Sequence, residues 1–454
     1  MRAKYLLPVL FMVAMTMLAT LFAQRPSTAL PDTPPPLLTL DDAVSLALTN
    51  NRLVKNSVLE AQKHDFRVDT IRSRRLPQFN FSVLGGELMH SFDFTFPEGA
   101  FGTYPNVGPI PNKESVIRNP ARFTTLVTGN LDQPITQQYK IGLAIHATQL
   151  GREIAKEDVR AQRQKISAEV RDAYYSLVAT HAGADAARQA VETLEEAQRL
   201  TVRYVAEKTV LRGDALEVDA RLAKARYQLS IAEDGLVTQS ENLNELLGRD
   251  LATSFRVDPM AEIDATDLTL QAARSKALQN RPEARQAQLK EKQAEYDRRL
   301  AKAEYIPDLS LSVRYTGLNN VKVLPQNVAV AGFFLTWEPF DWGRRRNRVA
   351  ETIKTIEQAR NGTRETKSQI ELEVGAKYRK VREAALSLKA ARATQEAAAE
   401  QFRVTGNKYR EQAALVKDVL QAQAQNSDAE NTYQQALSSY WSAAAELRRA
   451  MGEE

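Results

Sequence analysis

The most constraining feature of this sequence is an internal repeat, in which the second half of the chain resembles the first. Pro77 and Pro307 lie 230 positions apart (307 − 77), and a shift of 230 aligns the residues around them. Towards the end of each half the shift is 204 (452 − 248), which pairs Gly248 with Gly452. The first half therefore holds 26 extra residues (230 − 204). Two copies of one unit follow, each predicted as a helix, a strand, a loop, a strand and two very long helices.

The repeat divides the 454 residues into a leader and two similar halves. Residues 1–23 begin with basic residues and continue as an apolar run, which is typical of a secretory signal peptide, with an uncleaved membrane anchor as the alternative. Residues 24–36 are Pro-rich and are predicted to be extended. We predict the first repeat over 37–250 and the second over 268–454, with 251–267 as the linker between them.

The composition argues against an enzyme and against a nucleic-acid-binding protein. The net charge is +5, and basic and acidic residues are interleaved, which indicates solvated helix faces rather than a nucleic-acid patch. The chain has no cysteine, which excludes disulfides and thiolate metal sites. The four histidines are scattered, and the sequence has no phosphate loop, dinucleotide-binding glycine pattern or nucleophile elbow. We therefore expect no catalysis, no metal and no cofactor.

Heptad spacing predicts the long helices. The last helix of the first repeat carries leucines at intervals of seven, with small apolar residues at the interleaved positions. The helix before it is predicted from about Leu150 to Lys208, which corresponds to roughly 90 Å. Gly248 and Gly452 occupy the expected C-terminal caps. The leucines of the stripe are Leu222, Leu229, Leu236 and Leu243.

Each copy also contains a strand pair in which polar and apolar residues alternate. The first strands begin after Pro77 and Pro307, and their return strands are predicted near 123–133 and 328–337. The alternation predicts one face that is buried or lipid-facing and one face that is wet. If the strands span a membrane, we expect the apolar set to face lipid and the polar set to face a lumen. The lipid-facing set is Phe79, Phe81, Leu309 and Leu311, and the lumen-facing set is Asn80, Ser82, Ser310 and Ser312.

The strand count constrains the assembly. Closure of a barrel needs roughly eight strands or more, and an open sheet edge cannot face lipid. If the four strands span a membrane, several chains must share one barrel. Trp337, Phe340 and Trp342 lie at the open end of the second hairpin, where an interfacial aromatic belt would lie, with packing against neighbouring loops as the alternative.

Four segments, in the same order in both halves, carry a resemblance to a known family. "LDQPI" (131–135) and "TWEPFDWGRRR" (336–346) lead from the second strand of each repeat into a long helix. "RYVAEKTVLRGDALEVDAR" (203–221) and "KYREQAALVKDVLQAQAQ" (408–425) join paired long helices. With the signal peptide and the duplication, these segments resemble the TolC family of outer-membrane efflux channels, over essentially the whole mature chain.

The resemblance implies an internally duplicated α+β membrane protein. Three chains would share a 12-stranded β-barrel, and their long antiparallel coiled-coil helices would form an α-barrel through the periplasm. The implied function is a passive trimeric export channel of a tripartite efflux or type I secretion system. Its partners would be outer-membrane lipid, a periplasmic adaptor protein and a proton- or ATP-driven inner-membrane transporter. The implied location is the outer membrane of a Gram-negative-type bacterium.

The resemblance also assigns roles to residues at the turns between paired long helices, which would form the periplasmic tip. The channel gate would comprise Asp214, Tyr409, Asp418 and Gln421, and the adaptor contacts would comprise Val210, Leu211, Leu415 and Val416. The chain departs from the family pattern where Glu207 and Gln412 replace a glycine, and where Gln421 stands at the place of a second aspartate in some members. Two compatible hypotheses remain for Asp418, a ring of charge in a trimer and an N-cap of the following helix.

A second function class remains open from the sequence. Heptad helices taken alone are equally typical of a structural or adhesive coiled-coil protein of the cell envelope without channel activity.

Overall fold

The structure, a computed structural model, describes residues 36–208, 210–258, 268–411 and 413–453. The predicted signal peptide, the Pro-rich segment before residue 36 and positions 259–267 of the predicted linker lie outside the described residues.

Each half consists of two short helices, strands and two long helices. The first half contains β1 (Leu37–Leu38), α1 (Leu40–Asn50), α2 (Arg52–Ser73), β2 (Gln78–Glu87), β3 (Phe92–Phe96), β4 (Thr103–Tyr104), β5 (Gly108–Pro109), β6 (Ser115–Asn119), β7 (Phe123–Pro134), α3 (Gln137–Ala206), α4 (Arg212–Leu247) and β8 (Arg256–Val257). The second contains α5 (Leu270–Asn280), α6 (Pro282–Ala303), β9 (Asp308–Asn319), β10 (Asn327–Thr336), α7 (Arg344–Arg410) and α8 (Val416–Ala450).

We predicted one helix before the first long strand of each half. This prediction is wrong, because two helices occupy each of these segments. Asn51 separates α1 from α2 with a non-helical backbone (φ −57°, ψ 131°), and its side chain accepts a hydrogen bond from the Leu53 N–H at 2.8 Å. The equivalent break in the second half lies at Arg281, which precedes Pro282 at the first position of α6. Proline suits a helix start, where no intrahelical N–H is needed, so both breaks have a local cause in the sequence.

The first long helix begins earlier than predicted, at Gln137 rather than near Leu150. The Thr136 hydroxyl does not cap this helix. It donates to the Pro307 carbonyl at 2.7 Å and accepts from the Leu309 N–H at 2.8 Å, so the helix start is fastened to β9. With 70 residues, α3 is about 105 Å long.

The main sheet has four antiparallel strands in the order β10-β9-β7-β2. Within the described residues, β2 and β10 each pair on one side only, so both edges of the sheet are open. The connection between β2 and β7, predicted only as a long aromatic loop, contains two short hairpins formed by β3 with β6 and β4 with β5. The short strand β1 pairs in parallel with β8 away from this sheet.

The register of the sheet separates apolar from polar side chains. Phe79 lies opposite Leu131, which lies opposite Val313, and Leu311 lies opposite Phe333, so one face is apolar across all four strands. The opposite face carries polar contacts. They are Ser82 Oγ to Thr128 Oγ1 at 2.6 Å and Arg314 Nε to Asn130 Oδ1 at 3.1 Å.

The long helices form antiparallel pairs, α3 with α4 and α7 with α8, and α3 also packs against α8. Near the sheet, α2 packs against α3, and α6 packs against both α3 and α7. The largest buried cluster joins α1, α3, α4 and α8 through Ile166, Val170, Leu243 and Trp441. None of the described helices has an apolar stretch long enough to cross a membrane.

The end of the long helix α4 abuts the start of the short helix α2, so α4 and α2 form one interrupted column beside α3. The Asn51 side chain donates to the Leu246 carbonyl at 2.9 Å. Gly248 caps α4 in the left-handed conformation (φ 68°). In the second half, α8 and α6 meet in the same way at Gly452 and Arg281. Arg281 is buried and forms ion pairs there with Glu283 and Glu373.

Candidate functional site

The two turns between long helices lie at the same end of the helical body. Because α3 packs against α4, α7 and α8 form the second pair, and α3 also contacts α8, the turns after α3 and α7 come together. A buried apolar cluster beneath them draws on all four helices and includes Leu194, Val218, Leu222, Tyr409 and Leu420. This cluster fixes the turns relative to one another, although they are about 200 residues apart in sequence.

A cavity of about 440 Å³ lies between the two turns. Six of the eight residues that the resemblance assigned to the gate and the adaptor contacts line it, whereas Asp418 and Gln421 do not. Tyr204, Ala414 and Lys417 complete the lining. The six are Val210, Leu211, Asp214, Tyr409, Leu415 and Val416.

Tyr409 links the two halves of the chain at this cavity. Its side chain is only 6% exposed, its hydroxyl lies 3.3 Å from Thr201 Oγ1, and its ring meets Tyr204 edge to face with centroids 5.9 Å apart. Burial raises the pKa of Tyr409 above its ordinary value, although the hydrogen bond with Thr201 acts in the opposite direction. The phenol therefore stays protonated at neutral pH and can serve as a hydrogen-bond donor.

Sequence reasoning missed Thr201 and Tyr204 as parts of this contact. Tyr204 could have been found, because it occupies the place of Tyr409 in the aligned turn segments. Thr201 gave no such signal, since a threonine on a heptad stripe is usually a minor packing residue.

Asp214 and Asp418 have the same local role in the two halves. Asp214 Oδ2 accepts from the Leu211 N–H at 3.3 Å, and Asp418 Oδ2 accepts from the Leu415 N–H at 3.2 Å. Each carboxylate therefore satisfies a free N–H from the third position of its helix. The N-cap of α8 is Leu415, so the hypothesis that Asp418 occupies the N-cap itself is wrong. Its carboxylate nonetheless lies in the first turn, where the helix dipole favours negative charge.

The outer surface of the turns is apolar at two equivalent positions. Leu211 is 76% exposed and Leu415 is 60% exposed. Val416 is buried beneath them, and Val210 is half-buried. Asp418 and Gln421 are exposed on α8. After α3 the left-handed residue is Lys208 (φ 58°), one position beyond Glu207, where the resemblance leads to the expectation of a glycine.

The described residues contain no group of three or more histidine, aspartate or glutamate side chains that could hold a metal ion. The arrangement at the turns therefore offers apolar contact, charge and hydrogen bonds.

Comparison with known proteins gives a consistent result. The family model described as outer membrane efflux protein matches residues 43–249 and 273–453. A membrane protein from Pseudomonas aeruginosa has a similar fold (TM-score 0.73, 19% identity, 91% of this chain and 90% of that chain covered). The Campylobacter jejuni CmeC outer membrane channel is also similar in fold (TM-score 0.72, 18% identity, 91% of this chain and 85% of that chain covered). So is the Vibrio cholerae outer membrane protein VceC (TM-score 0.70, 16% identity, 91% of this chain and 96% of that chain covered). No match to a curated protein was found.

Proposed function

Because this chain belongs to the outer membrane efflux protein family, we propose that it forms a passive trimeric export channel that is gated at its helical tip. The family model matches the chain twice, once within each predicted repeat, which supports the duplicated architecture. In this proposal the sheet spans the outer membrane and the long helices extend into the periplasm. An adaptor protein and an inner-membrane transporter supply the link to an energy source.

The observation that carries the proposal is a four-stranded sheet with two open edges and one exposed apolar face. Phe79, Phe81 and Phe333 are all exposed in the single chain, Phe333 to 74%. Strands β2 and β10 run antiparallel to each other, so β10 of one copy can pair with β2 of the next. Three copies then supply 12 strands, enough for closure, and the apolar face meets lipid.

The helices support lateral association in the same sense. In the single chain, α4 and α7 are the outer members of the long-helix layer, because α4 packs mainly on α3 and α7 on α8. Both carry large exposed apolar side chains, which monomeric soluble proteins seldom group together. These side chains are Leu216, Ile231 and Val237 on α4 and Leu372 and Leu386 on α7.

We predict that the detergent-extracted particle has three times the mass of the mature chain, because only shared strands remove the open edges. The cysteine-free sequence allows a second measurement. Ser82→Cys on β2 should form an intermolecular disulfide with a cysteine placed in turn at Val330, Gly332 or Phe334 on β10, since all of these lie on the polar face.

Ser82→Cys alone is the matched control and should give no cross-link. A monomer inserted in membrane would contradict the proposal. A particle that is extracted without detergent would favour the structural or adhesive coiled-coil alternative.

The proposed gate works by dilation of the tip. Tyr409 and Thr201 tie α7 to α3, and Tyr204 packs against the same ring, so opening must separate or slide these contacts. The exposed Leu211 and Leu415, supported by Val210 and Val416, offer an apolar surface to the adaptor. Asp214, Asp418 and Gln421 lie near the narrowest point in this proposal. Binding of the adaptor can shift the gate only if it contacts the open state more favourably.

Substitution of Asp418 separates its charge from its hydrogen bond. In a trimer, three copies of Asp418 around one axis attract cations and repel anions. We expect Asp418→Asn to assemble normally, because the asparagine oxygen can still accept from the Leu415 N–H, and to conduct with a weaker cation preference in planar bilayers.

The reciprocal variant Gln421→Asp adds a charge one helical turn away and should strengthen the cation preference. Unchanged selectivity in both variants would leave Asp418 with a helix-capping role only.

A further inference from the structure

The segment that joins β10 to α7 carries three aromatic side chains within six residues, 337–342. Trp337 follows the last residue of β10. It continues the alternation that places Phe333 and Leu335 on the apolar face of the sheet. Phe340 and Trp342 contact each other edge to face, with ring centroids 4.7 Å apart. All three are exposed.

A compact set of polar contacts holds this segment rigid. Asp341 accepts hydrogen bonds from the N–H groups of Gly343 and Arg345, both at 3.1 Å. Buried Arg345 donates to the Glu338 carbonyl at 2.6 Å and to its carboxylate at 3.0 Å. Arg344 also forms an ion pair with Glu338. The aromatic side chains are therefore displayed on a fixed support rather than on a loose loop.

Trp342 is held in an unfavourable backbone conformation. Its φ is 54°, and the next residue, Gly343, has φ 86°. A bulky residue rarely adopts the left-handed region, and such strain persists only where the surroundings impose it. The indole is 88% exposed, and its ring contact within the chain is with Phe340, which is itself exposed, so burial does not explain the strained conformation.

Three of the four arginines at the start of α7 form ion pairs, and the fourth forms none with the described residues. Arg344 and Arg345 pair with Glu338 and Asp341. Arg348, further along α7, pairs with Glu351. Arg346 is exposed, and no ion pair joins it to any carboxylate of the described residues. Arg346 lies in the first turn of α7, four residues after Trp342 in the sequence. A guanidinium is a suitable donor for a phosphate oxygen.

We propose that Trp342 and Arg346 form a docking site for the phosphate headgroups of anionic phospholipids in the periplasmic leaflet of the outer membrane. The inference rests on the proposed channel, which places the end of β10 at the membrane surface. Tryptophan and basic residues are the side chains that anchor a protein at this depth. The aromatic side chains continue the apolar face of the sheet, which suits the acyl chains of a lipid. The unpaired charge of Arg346 suits its phosphate, so we infer that the occupant is lipid.

The test measures lipid retention by the intact particle. Wild-type protein is incorporated into vesicles of phosphatidylglycerol and phosphatidylcholine, extracted in detergent, and its bound lipids are counted by native mass spectrometry. We expect enrichment of phosphatidylglycerol, which Arg346→Gln lowers by about fivefold, as anticipated for one basic residue at an anionic surface. Arg364→Gln is the matched control, because Arg364 is exposed on the same face of α7, five turns or about 27 Å away.

A second variant separates lipid docking from packing. Trp342→Gly removes the indole and relieves the left-handed strain, so the thermal stability of the trimer in detergent should stay equal or rise, while retention of phosphatidylglycerol falls. If Trp342 instead packs against a neighbouring copy, this variant will weaken the trimer, and the inference is overturned. Retention that is equal in wild type and Arg346→Gln also overturns it, and an intact conducting trimer in that case leaves the channel proposal standing.

Discussion

Gly248→Ala is expected to destabilise the protein by about 2–5 kcal/mol, the larger part of which comes from a backbone clash. A Cβ at this position would lie 2.6 Å from the Asn50 carbonyl oxygen and 2.8 Å from its carbon, and neither backbone atom can move aside alone. The left-handed conformation (φ 68°) adds about 1–2 kcal/mol for any residue with a Cβ, and overpacking typically adds about 1–3 kcal/mol. Thermal unfolding of the detergent-solubilised particle measures the effect.

Gly362→Ala is the control for this experiment. Gly362 lies inside α7, and a Cβ there meets nothing within 4 Å, so alanine should stabilise the helix by about 0.5–1 kcal/mol. Gly452→Ala should behave like Gly248→Ala, because its Cβ would lie 2.8 Å from the Asn280 carbon. If Gly248→Ala is neutral, the contact between α4 and the α1–α2 break does not exist as described.

Phe81→Arg is expected to cost about 2–4 kcal/mol of folding free energy in a bilayer, because it places a charge on the lipid face of the proposed barrel near mid-membrane. Phe81 lies opposite Gly129 on the apolar face of the sheet, and Val83 lies on the same side. Ser82→Arg one position later should cost far less, because Ser82 belongs to the polar face and contacts Thr128. Folding into vesicles, followed by urea titration, gives both values.

The second repeat supplies an independent pair for the same measurement. Leu311→Arg should lose far more folding free energy than Ser312→Arg, as for Phe81→Arg against Ser82→Arg. Leu311 lies opposite Phe333 on the apolar face, and Ser312 lies opposite Gly332 on the polar face. Equal losses at neighbouring positions would mean that the polar face does not line an aqueous lumen.

Periodic patterns and repeats predicted most of the fold. Both predicted strand starts, after Pro77 and Pro307, are confirmed. Each proline follows a short turn at the end of a helix, and a pattern of period two begins immediately after it. The heptad positions Leu222 and Leu243 are buried as expected. The helix breaks at Asn51 and Arg281 were missed, because each break occupies one residue inside a pattern that otherwise continues.

The candidate site was only partly predictable, since its contacts join residues far apart in the chain. The resemblance pointed to Tyr409, but the hydrogen bond to Thr201 depends on the axial register of α3 against α7, which no local pattern encodes. Asp418 was recognised at a helix start, whereas its position three residues after Leu415 required the geometry of the turn.

The interrupted columns have a mechanical consequence. The long rods α3 and α7 run unbroken past the joints at Asn51–Gly248 and Arg281–Gly452, whereas the columns beside them are divided there and held by noncovalent contacts. When a continuous helix and the divided column beside it bend together, the path along the outside of the bend becomes longer than the path along the inside. The divided column can accommodate this difference in length because the gap at its joint can open or close. We therefore expect bending of the helical body to be concentrated at these two joints. From the joint at Gly248, α4 extends about 54 Å to the turn that precedes Arg212. A tilt of α4 by a few degrees at the joint would therefore move that turn by several ångströms.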